Sequence, residues 1–149
     1  MDAFVVSLFG HREIEDLRKL EDKLTPIIKE LMRTKMYVVF LIGRNGEFDE
    51  CAASILKRVR KESEEENSEI ILVLPYTVAD IEYYEKYYDD IIIPDRLYSA
   101  HPKSAIILRN RWMIESSDLV VVYVEHKTGG AYTAMKYAEK LNKRIINIS

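Results

Sequence analysis

Two short glycine-containing loops are the parts of this sequence best suited to hold an anion. One reads "GRNGEFDE" from Gly43 and the other reads "EHKTGGAYT" from Glu125, and a stretch with helical spacing follows each. Glycine permits positive φ angles and a close approach of backbone to ligand, and free amides at a helix N-terminus bind anions. Either loop alone is equally well explained as a tight turn. Two such loops in one chain favour the phosphate of a nucleotide or sugar phosphate as the ligand.

Other residues in these loops and after the first predicted strand offer further contacts. Thr128 or Thr133 provides a hydroxyl donor beside the paired glycines. His11 either hydrogen-bonds a base or ribose or caps the long first helix. The set of candidate ligand-binding residues is Gly10, His11, Arg12, Gly43, Arg44, Asn45, Gly46, Arg109, Thr128, Gly129, Gly130 and Thr133.

The segment "ILRNRWMIESSD" supplies basic groups ahead of a strand. Arg109 and Arg111 are two residues apart on a predicted helix and therefore cannot share a face, whereas Arg111 and Glu115 can. We expect one arginine to point into the ligand cleft. For Arg111 we favour a solvated ion pair with Glu115, which contributes little to stability.

Several other kinds of site are disfavoured. The glycine loops do not resemble a P-loop, because no Lys-Ser or Lys-Thr pair follows them. His101 and His126 lack partners at metal-ligand spacing, and the single cysteine, Cys51, excludes an internal disulfide and is expected to be a small buried hydrophobe. We therefore predict no metal and no cofactor.

The composition is that of an ordinary globular protein. The chain has 149 residues, a formal net charge of −3 and 48% hydrophobic residues, and its isoelectric point is near 5.7. This charge makes nucleic acid an improbable partner. Since the chain lacks a basic leader and an apolar run of the ~20 residues that a membrane helix needs, we predict a cytoplasmic protein with no membrane partner.

Strand-like and helix-like segments alternate along the whole chain. Most strand candidates are continuously apolar, as strands covered on both faces must be. They are Phe4–Leu8, Tyr37–Ile42, Ile70–Leu74, Ile91–Ile93, Leu119–Val124 and Arg144–Ile148. The order predicts one α/β domain over residues 1–149, a Rossmann-like doubly wound and mainly parallel sheet with helices on both faces. Because ligands bind beyond the carboxyl ends of such strands, we expect Gly43–Glu47 and Thr128–Thr133 at one edge.

Four tyrosines in "DIEYYEKYYDD" would form one broad aromatic face on a helix, pairing Tyr83 with Tyr87 and Tyr84 with Tyr88. Tyrosine is common at protein interfaces, and Trp112 is also expected to be exposed. We therefore predict a homo-oligomer, most simply a two-fold dimer. Packing against the sheet and stacking on a nucleobase are the alternatives for the tyrosines.

Three motifs together resemble the SLOG superfamily of Rossmann-like proteins that bind nucleotides or nucleotide-derived ligands. The motifs are "GRNGEFDECAA", "RNRWMIESSDLVVVYV" and "TGGAYTAMKYAEK", and the resemblance spans nearly the whole chain. The superfamily includes the LOG-type phosphoribohydrolases, often called lysine decarboxylase-like, and the DNA-processing protein A domain. The chain is most similar to small bacterial or phage SLOG-domain proteins, and the resemblance implies a dimer.

The resemblance also implies roles for individual residues. Arg109 matches the catalytic arginine that LOG enzymes keep ahead of a Ser-Asp pair, here Ser117 and Asp118. Gly129, Gly130 and Thr133 match the first two glycines and the threonine of the GGxGTxxE motif. Two positions depart from it, with Tyr132 in place of the third glycine and Lys136 in place of the glutamate. Because a lysine cannot stabilise positive charge on a ribose, LOG-type hydrolysis is disfavoured.

Three functions follow, in order of preference. The first is a sensor or sequestering protein that binds a nucleotide-derived small molecule. The second is an enzyme acting on a nucleoside or nucleotide N-glycosidic bond, related to phosphoribohydrolases or deoxyribosyltransferases, with Arg109 and one of the carboxylates of Glu47, Asp49 or Glu125 as catalytic candidates. The third is an interaction protein without a ligand, in which the glycines form only turns.

Overall fold

The computed structural model describes residues 2–149 and contains one six-stranded, fully parallel sheet with the strand order β4-β3-β2-β1-β5-β6. The strands are β1 (Phe4–Gly10), β2 (Val38–Ile42), β3 (Ser68–Val73), β4 (Asp90–Ile92), β5 (Leu119–Tyr123) and β6 (Arg144–Asn147). Each contains most of a segment predicted from its apolar run. The α/β, Rossmann-like, doubly wound prediction is confirmed.

Helices connect the strands and cover both faces of the sheet. They are α1 (Leu17–Thr34), α2 (Glu47–Glu62), α3 (Ile81–Tyr87), α4 (Pro102–Glu115) and α5 (Gly130–Lys140). The α1 stripe includes Leu20, Leu24, Ile28 and Leu31, all buried. None of the helices within residues 2–149 combines the length and the apolar character that crossing a membrane requires.

Side chains that alternate along each strand divide the core into two layers. In β1, Val6 and Leu8 face the layer formed with α1, α2 and α3, whereas Phe9 faces the layer formed with α4 and α5. Since both faces of the sheet are covered, the strands are apolar throughout rather than at every second position.

The chain reverses its direction across the sheet between β1 and β5. From β1 it progresses through β2 and β3 to β4, and it then returns through α4 to place β5 on the other side of β1. Loops leaving β1 and β5 diverge at such a switch point and leave a crevice at the carboxyl edge. The loops after β1, β2 and β5 all reach this crevice, because all of these strands are parallel.

Several local expectations were wrong. The position of Asp49 at the start of a helical stretch predicts that it caps α2, but the residue that caps α2 is Gly46, and Asp49 lies in the first turn. Asp16, not His11, caps α1, and its carboxylate accepts a hydrogen bond from the Lys19 amide at 3.0 Å. The apolar spacing of α1 predicts that Leu17 is buried, but it is the first residue of that helix and is 43% exposed.

Two expectations about side chains on α4 were also wrong. Glu115 pairs with Arg96 at 2.8 Å, whereas the Arg111 guanidinium lies over the ring of Tyr137 at 5.0 Å. Trp112 is partly buried and packs against the core layer of α4 and α5. Arg111 deviates because α5 packs beside α4 and offers it Tyr137, a partner that is distant in sequence.

Candidate functional site

A cavity of about 490 Å³ lies at the carboxyl edge of the sheet, at the switch point between β1 and β5. Its size is that of a small-molecule site. Its walls are the loops after β1, β2 and β5 and the middle of α4. The lining residues are Leu8, Phe9, Gly10, His11, Arg12, Glu13, Gly43, Asn45, Asp49, Ile106, Arg109, Asn110, Met113, His126, Gly129, Gly130 and Ala131.

Arg109 is the buried cation of this cavity, with only 5% of its surface exposed. Its Nε donates to Asn110 Oδ1 at 2.9 Å, and its Nη1 donates to the carbonyl oxygen of Val73 at 3.1 Å. Within residues 2–149, no carboxylate oxygen lies within 4.0 Å of the guanidinium. A guanidinium has five N–H donors, so Arg109 keeps donor capacity for a ligand.

Asp49 is the carboxylate that shares this wall. A Cβ added to Gly43 would lie 2.8 Å from Arg109 Nη1 and 3.0 Å from Asp49 Oδ2, so both groups approach the same glycine. Asp49 Oδ2 accepts a hydrogen bond from the Asn45 amide at 2.8 Å. Burial raises the pKa of Asp49 to about 6, although the Asn45 hydrogen bond and the charge of Arg109 oppose the shift.

Burial also dominates the shift at Arg109, whose pKa is lowered despite the nearby Asp49. Each group therefore loses more from dehydration than it gains from the other. Such an arrangement favours a third partner, either a proton on Asp49 or an anion beside Arg109.

Two histidines form another wall. His11 is 8% exposed, and its ring stacks on His126 with the centroids 3.7 Å apart and the planes 8° from parallel. His11 Nε2 accepts a hydrogen bond from the Glu125 amide at 2.9 Å, so the neutral ring carries its hydrogen on Nδ1. The pKa of His11 is lowered, first by burial and then by the charge of His126, while Glu125 raises it.

The paired glycines form the opening of the cavity at the start of α5. Gly129 has φ 91° and is the residue before the helix, and Gly130 is its first residue. A Cβ added at either glycine would meet no described atom of the chain within 4 Å. The space in front of these amides is therefore free for a ligand.

Four of the candidate ligand-binding residues do not line the cavity. Arg44 lies 5.6 Å above the Tyr84 ring, in a groove between α2 and α3. Gly46, with φ 122°, packs against the Arg12 backbone. Thr128 Oγ1 is 3.0 Å from His126 Nδ1, and Thr133 lines a neighbouring cavity between α4 and α5.

Two of the three candidate carboxylates are engaged elsewhere. Glu47 Oε1 accepts from the Ile14 amide at 3.1 Å, which ties α2 to the loop after β1. Glu125 Oε1 accepts from the Tyr123 hydroxyl at 2.6 Å. The structure brings Asp49, and not these two, next to Arg109.

The residues at the LOG motif positions do not all lie at the cavity. Lys136 lines the neighbouring cavity with Thr133. Ser117 Oγ is 2.6 Å from Ser7 Oγ, and Asp118 Oδ2 accepts from the Val5 amide at 2.9 Å. Both contacts lie toward the beginnings of β1 and β5, at the edge opposite the cavity, so the Ser-Asp pair holds strands together.

Sequence reasoning did not select His126 or Asn110 as site residues. His126 follows β5 at the same sheet edge as His11, and that shared position was the signal available for the pair. Asn110 orients the Arg109 guanidinium from the adjacent position on α4. No group of three or more His, Cys, Asp or Glu side chains that could hold a metal ion occurs within residues 2–149.

Comparison by sequence finds no relative, since no family model and no curated protein matches the chain. Comparison of the fold does find similar structures. DNA processing protein A from Streptococcus pneumoniae superposes with a TM-score of 0.69 at 14% identity, over 96% of this chain and 49% of that protein. The Helicobacter pylori protein of the same name, described for its single-stranded DNA binding mode, superposes with a TM-score of 0.64 at 16% identity. The match covers 95% of this chain and 63% of that protein.

A third similar structure is the molybdenum cofactor binding protein of Rippkaea orientalis. It gives a TM-score of 0.63 at 20% identity, over 99% of this chain and 77% of that one. The chain spans about half to two thirds of the two DNA-processing proteins. At these identities the likeness shows the fold alone, and a Rossmann-like fold of this kind is what the motif resemblance implied.

Proposed function

We propose that this protein binds a small anionic molecule, a nucleotide or a nucleotide derivative, in the cavity at the β1/β5 switch point, as a sensor or a sequestering protein. The observation that carries the proposal is Arg109, a buried guanidinium on the cavity wall with no carboxylate within 4.0 Å among the described residues. A buried charge without a direct ion pair is costly. An anion bound in the cavity would supply that partner.

The paired glycines support the same ligand class. A phosphate near Gly129 and Gly130 would meet backbone amides and the positive end of the α5 dipole. Gly129 is explained by its positive φ of 91°. Gly130 has no positive φ, and a Cβ there would meet open space, so backbone strain and internal packing do not explain it. A ligand that approaches the backbone closely would.

Calorimetry with a panel of ligands tests the proposal. The panel contains AMP, GMP, UMP, ADP-ribose, the molybdenum cofactor and a single-stranded DNA oligonucleotide, since the solved neighbours include binders of the last two. Mass spectrometry of small molecules that co-purify with the chain extends the search. We expect at least one small anionic molecule to bind with one site per chain, whereas binding of the oligonucleotide alone would replace this proposal with a nucleic-acid partner.

Gly130→Val identifies the site of that binding. The valine side chain would fill the space in front of the α5 amides and abolish binding. Ser104→Val is the matched control, because it puts the same side chain in the first turn of α4 at an exposed position. Loss of binding in both variants, or in neither, contradicts the placement of the ligand.

An N-glycosidase is the second candidate function, and Asp49 is the observation that favours it. This carboxylate lines the cavity beside Arg109, and its pKa is raised to about 6. Such a group can stabilise positive charge on a ribose when ionised or donate a proton to the leaving base when protonated. Release of free base from a nucleoside monophosphate at an enzyme-like rate, lost in Asp49→Asn with binding retained, would move this function to first place.

The oligomeric state stays a prediction, and we propose a dimer that uses the tyrosine face of α3. Tyr83 is 62% exposed and stacks with Tyr87 at 6.3 Å, whereas Tyr88 is buried. Light scattering should give twice the mass of 17.5 kDa at micromolar concentration, and Tyr83→Glu should return the monomer. A monomer mass for the unmodified chain rejects the prediction.

A further inference from the structure

A second cavity, of about 410 Å³, lies between α4 and α5 and adjoins the candidate site. The two cavities share Ile106, Asn110 and Gly130 as lining residues. They therefore meet at the start of α5, where the added Cβ of Gly130 would find open space. A ligand held at Arg109 can extend past Gly130 into the second cavity.

The second cavity combines an apolar wall with a cationic rim. Its apolar residues are Ile106, Ile107, Ile114 and Ala134, and its charged residues are Arg111, Lys136 and Lys140. Every charged residue in this described lining is basic, in a chain with a net charge of −3. Among residues 2–149, the only carboxylate paired with these bases is Glu139, 2.9 Å from Lys136 Nζ in an exposed ion pair, which contributes little.

This charge pattern indicates what kind of partner the second cavity binds. In a two-fold dimer a face contacts its own copy near the symmetry axis, so a dimer built on this cavity would bring the basic rims of both copies together. A small anion has the opposite charge and can reach the cavity from the site already described. The pattern therefore favours part of a ligand over a second copy of the chain.

The spacing along α5 sets the length of that ligand. Lys136 is six positions after Gly130, which corresponds to about 9 Å along the helix axis at ~1.5 Å per residue. A span of that order separates two anionic groups with a sugar or a base between them. It is longer than the distance between adjacent phosphates of a pyrophosphate.

We propose that the cavity between α4 and α5 is a second anion subsite, so that the protein binds a molecule with two separated anionic groups, of the dinucleotide class. One group contacts Arg109 and the α5 amides, the apolar wall covers the connecting sugar or base, and Lys136 and Lys140 contact the other group. This inference rests on the proposed function and adds the ligand class to it.

The experiment compares AMP with a dinucleotide that carries one further phosphate, 5′-phosphoadenylyl-(3′→5′)-adenosine. Calorimetry on the full chain should give a dissociation constant for the dinucleotide about three- to tenfold lower than for AMP, as expected for exposed charge contacts. The double variant Lys136→Gln/Lys140→Gln should lose that advantage and keep its affinity for AMP. The matched control is Lys29→Gln/Lys61→Gln, exposed positions on α1 and α2 that remove the same charge.

The other outcomes overturn the inference. Equal affinity of the unmodified chain for AMP and the dinucleotide would contradict the second subsite. The same holds if Lys136→Gln/Lys140→Gln binds the dinucleotide as tightly as its control variant does. A dimer that Ile107→Glu converts to a monomer would make this face an interface between copies. If neither these compounds nor any small anionic molecule of the ligand panel binds, the proposed function itself fails, which is distinguishable from retained AMP binding without a dinucleotide preference.

Discussion

The two glycine loops look alike in the sequence but differ in what surrounds them. In the loop after β2, a Cβ at Gly43 would lie 2.8 Å from the Arg109 guanidinium, and a Cβ at Gly46 would lie 2.6 Å from Arg12 Cα. After β5, a Cβ at Gly129 or Gly130 would meet no described atom within 4 Å. The first loop needs glycine for its own packing, whereas the second does not.

This difference separates two reasons for a glycine that a motif cannot distinguish. Gly43 and Gly46 hold the wall of the cavity together, and Gly46 also requires its positive φ of 122°. Gly130 has an ordinary φ and open surroundings, so the empty space in front of it is its one distinguishing feature. Substitutions at Gly43 and Gly46 should therefore damage folding, and a substitution at Gly130 should damage binding.

The largest effect is expected for a valine at a packed glycine. A Cβ at Gly10 would overlap the buried Phe48 ring, so Gly10→Val should lower the free energy of unfolding by about 3 kcal/mol or more, or prevent folding. Gly130→Val should change it by no more than about 0.5 kcal/mol. Urea denaturation measures both, and equal losses would erase the distinction between packed and open glycines.

Arg109 should show a large effect on binding because it is the buried cation of the cavity that both loops line. Arg109→Gln keeps a polar side chain but removes the charge, and it should weaken binding of the nucleotide found in the ligand panel by roughly ten- to a hundredfold, or ~1.5–3 kcal/mol. Calorimetry gives the affinity. Arg96→Gln, an exposed position that pairs with Glu115, should bind as the unmodified chain does.

Protonation of Asp49 should produce a moderate effect on the same affinity. Since its pKa is raised to about 6, Asp49 is ionised at pH 7.5 and competes with a bound anion for Arg109. Affinity for ADP-ribose, whose charge is constant in this range, should rise about three- to tenfold from pH 7.5 to pH 5. Asp49→Asn should bind equally at both pH values, and a pH dependence that survives this change would assign it to another group.

Asp49 also affects the free energy of unfolding, and this effect depends on pH in the opposite direction to that of His11. A carboxyl with a raised folded pKa favours the folded state at low pH, and that contribution is lost as the pH rises through about 6. Asp49→Asn should therefore stabilise the ligand-free chain at pH 7.5 if the introduced amide oxygen keeps the hydrogen bond from the Asn45 backbone. Urea denaturation at pH 7.5 and pH 4 should show the gain at the higher pH alone.

The smallest effect is expected at the stacked histidines. The pKa of His11 is lowered, so between the folded pKa and the ordinary value of ~6.5 the unfolded chain binds more protons. This contribution to stability is fully present above that value and decreases as the pH falls below it. Urea denaturation of Asp49→Asn and of Asp49→Asn/His11→Gln from pH 7.5 to pH 5.5 gives the free energy of unfolding of each. The difference between the two variants isolates the contribution of His11.

The apolar runs and helical stripes were enough to predict the fold class and most of the element positions. Six continuous apolar segments separated by helix-forming stretches fit a parallel sheet covered on both faces, and few other arrangements bury them. Errors occurred at the ends of elements. Leu17 continues the apolar periodicity but lies where α1 begins, and its exposure follows from what packs there.

The strand order and the composition of the site depended on tertiary structure. Apolar periodicity says which faces are covered, but not that β5 pairs with β1 instead of with β4. Once β5 lies beside β1, the loops holding His11 and His126 meet, and the two rings stack although 115 positions separate them in the chain. Similarly, Asp49 was one of three candidate carboxylates, and only packing against Gly43 brought it to Arg109.

By itself the sequence determined that glycines, an arginine and a histidine gather at the carboxyl edge of a parallel sheet, because strand direction and loop position follow from local patterns. Tertiary structure decided which of these side chains face the cavity. Arg44 and Asn45 are neighbours on one loop, yet Arg44 lies over Tyr84 and Asn45 lines the cavity. Local sequence sets backbone direction within a turn, whereas the burial and charge that each side chain meets come from segments far away in the chain.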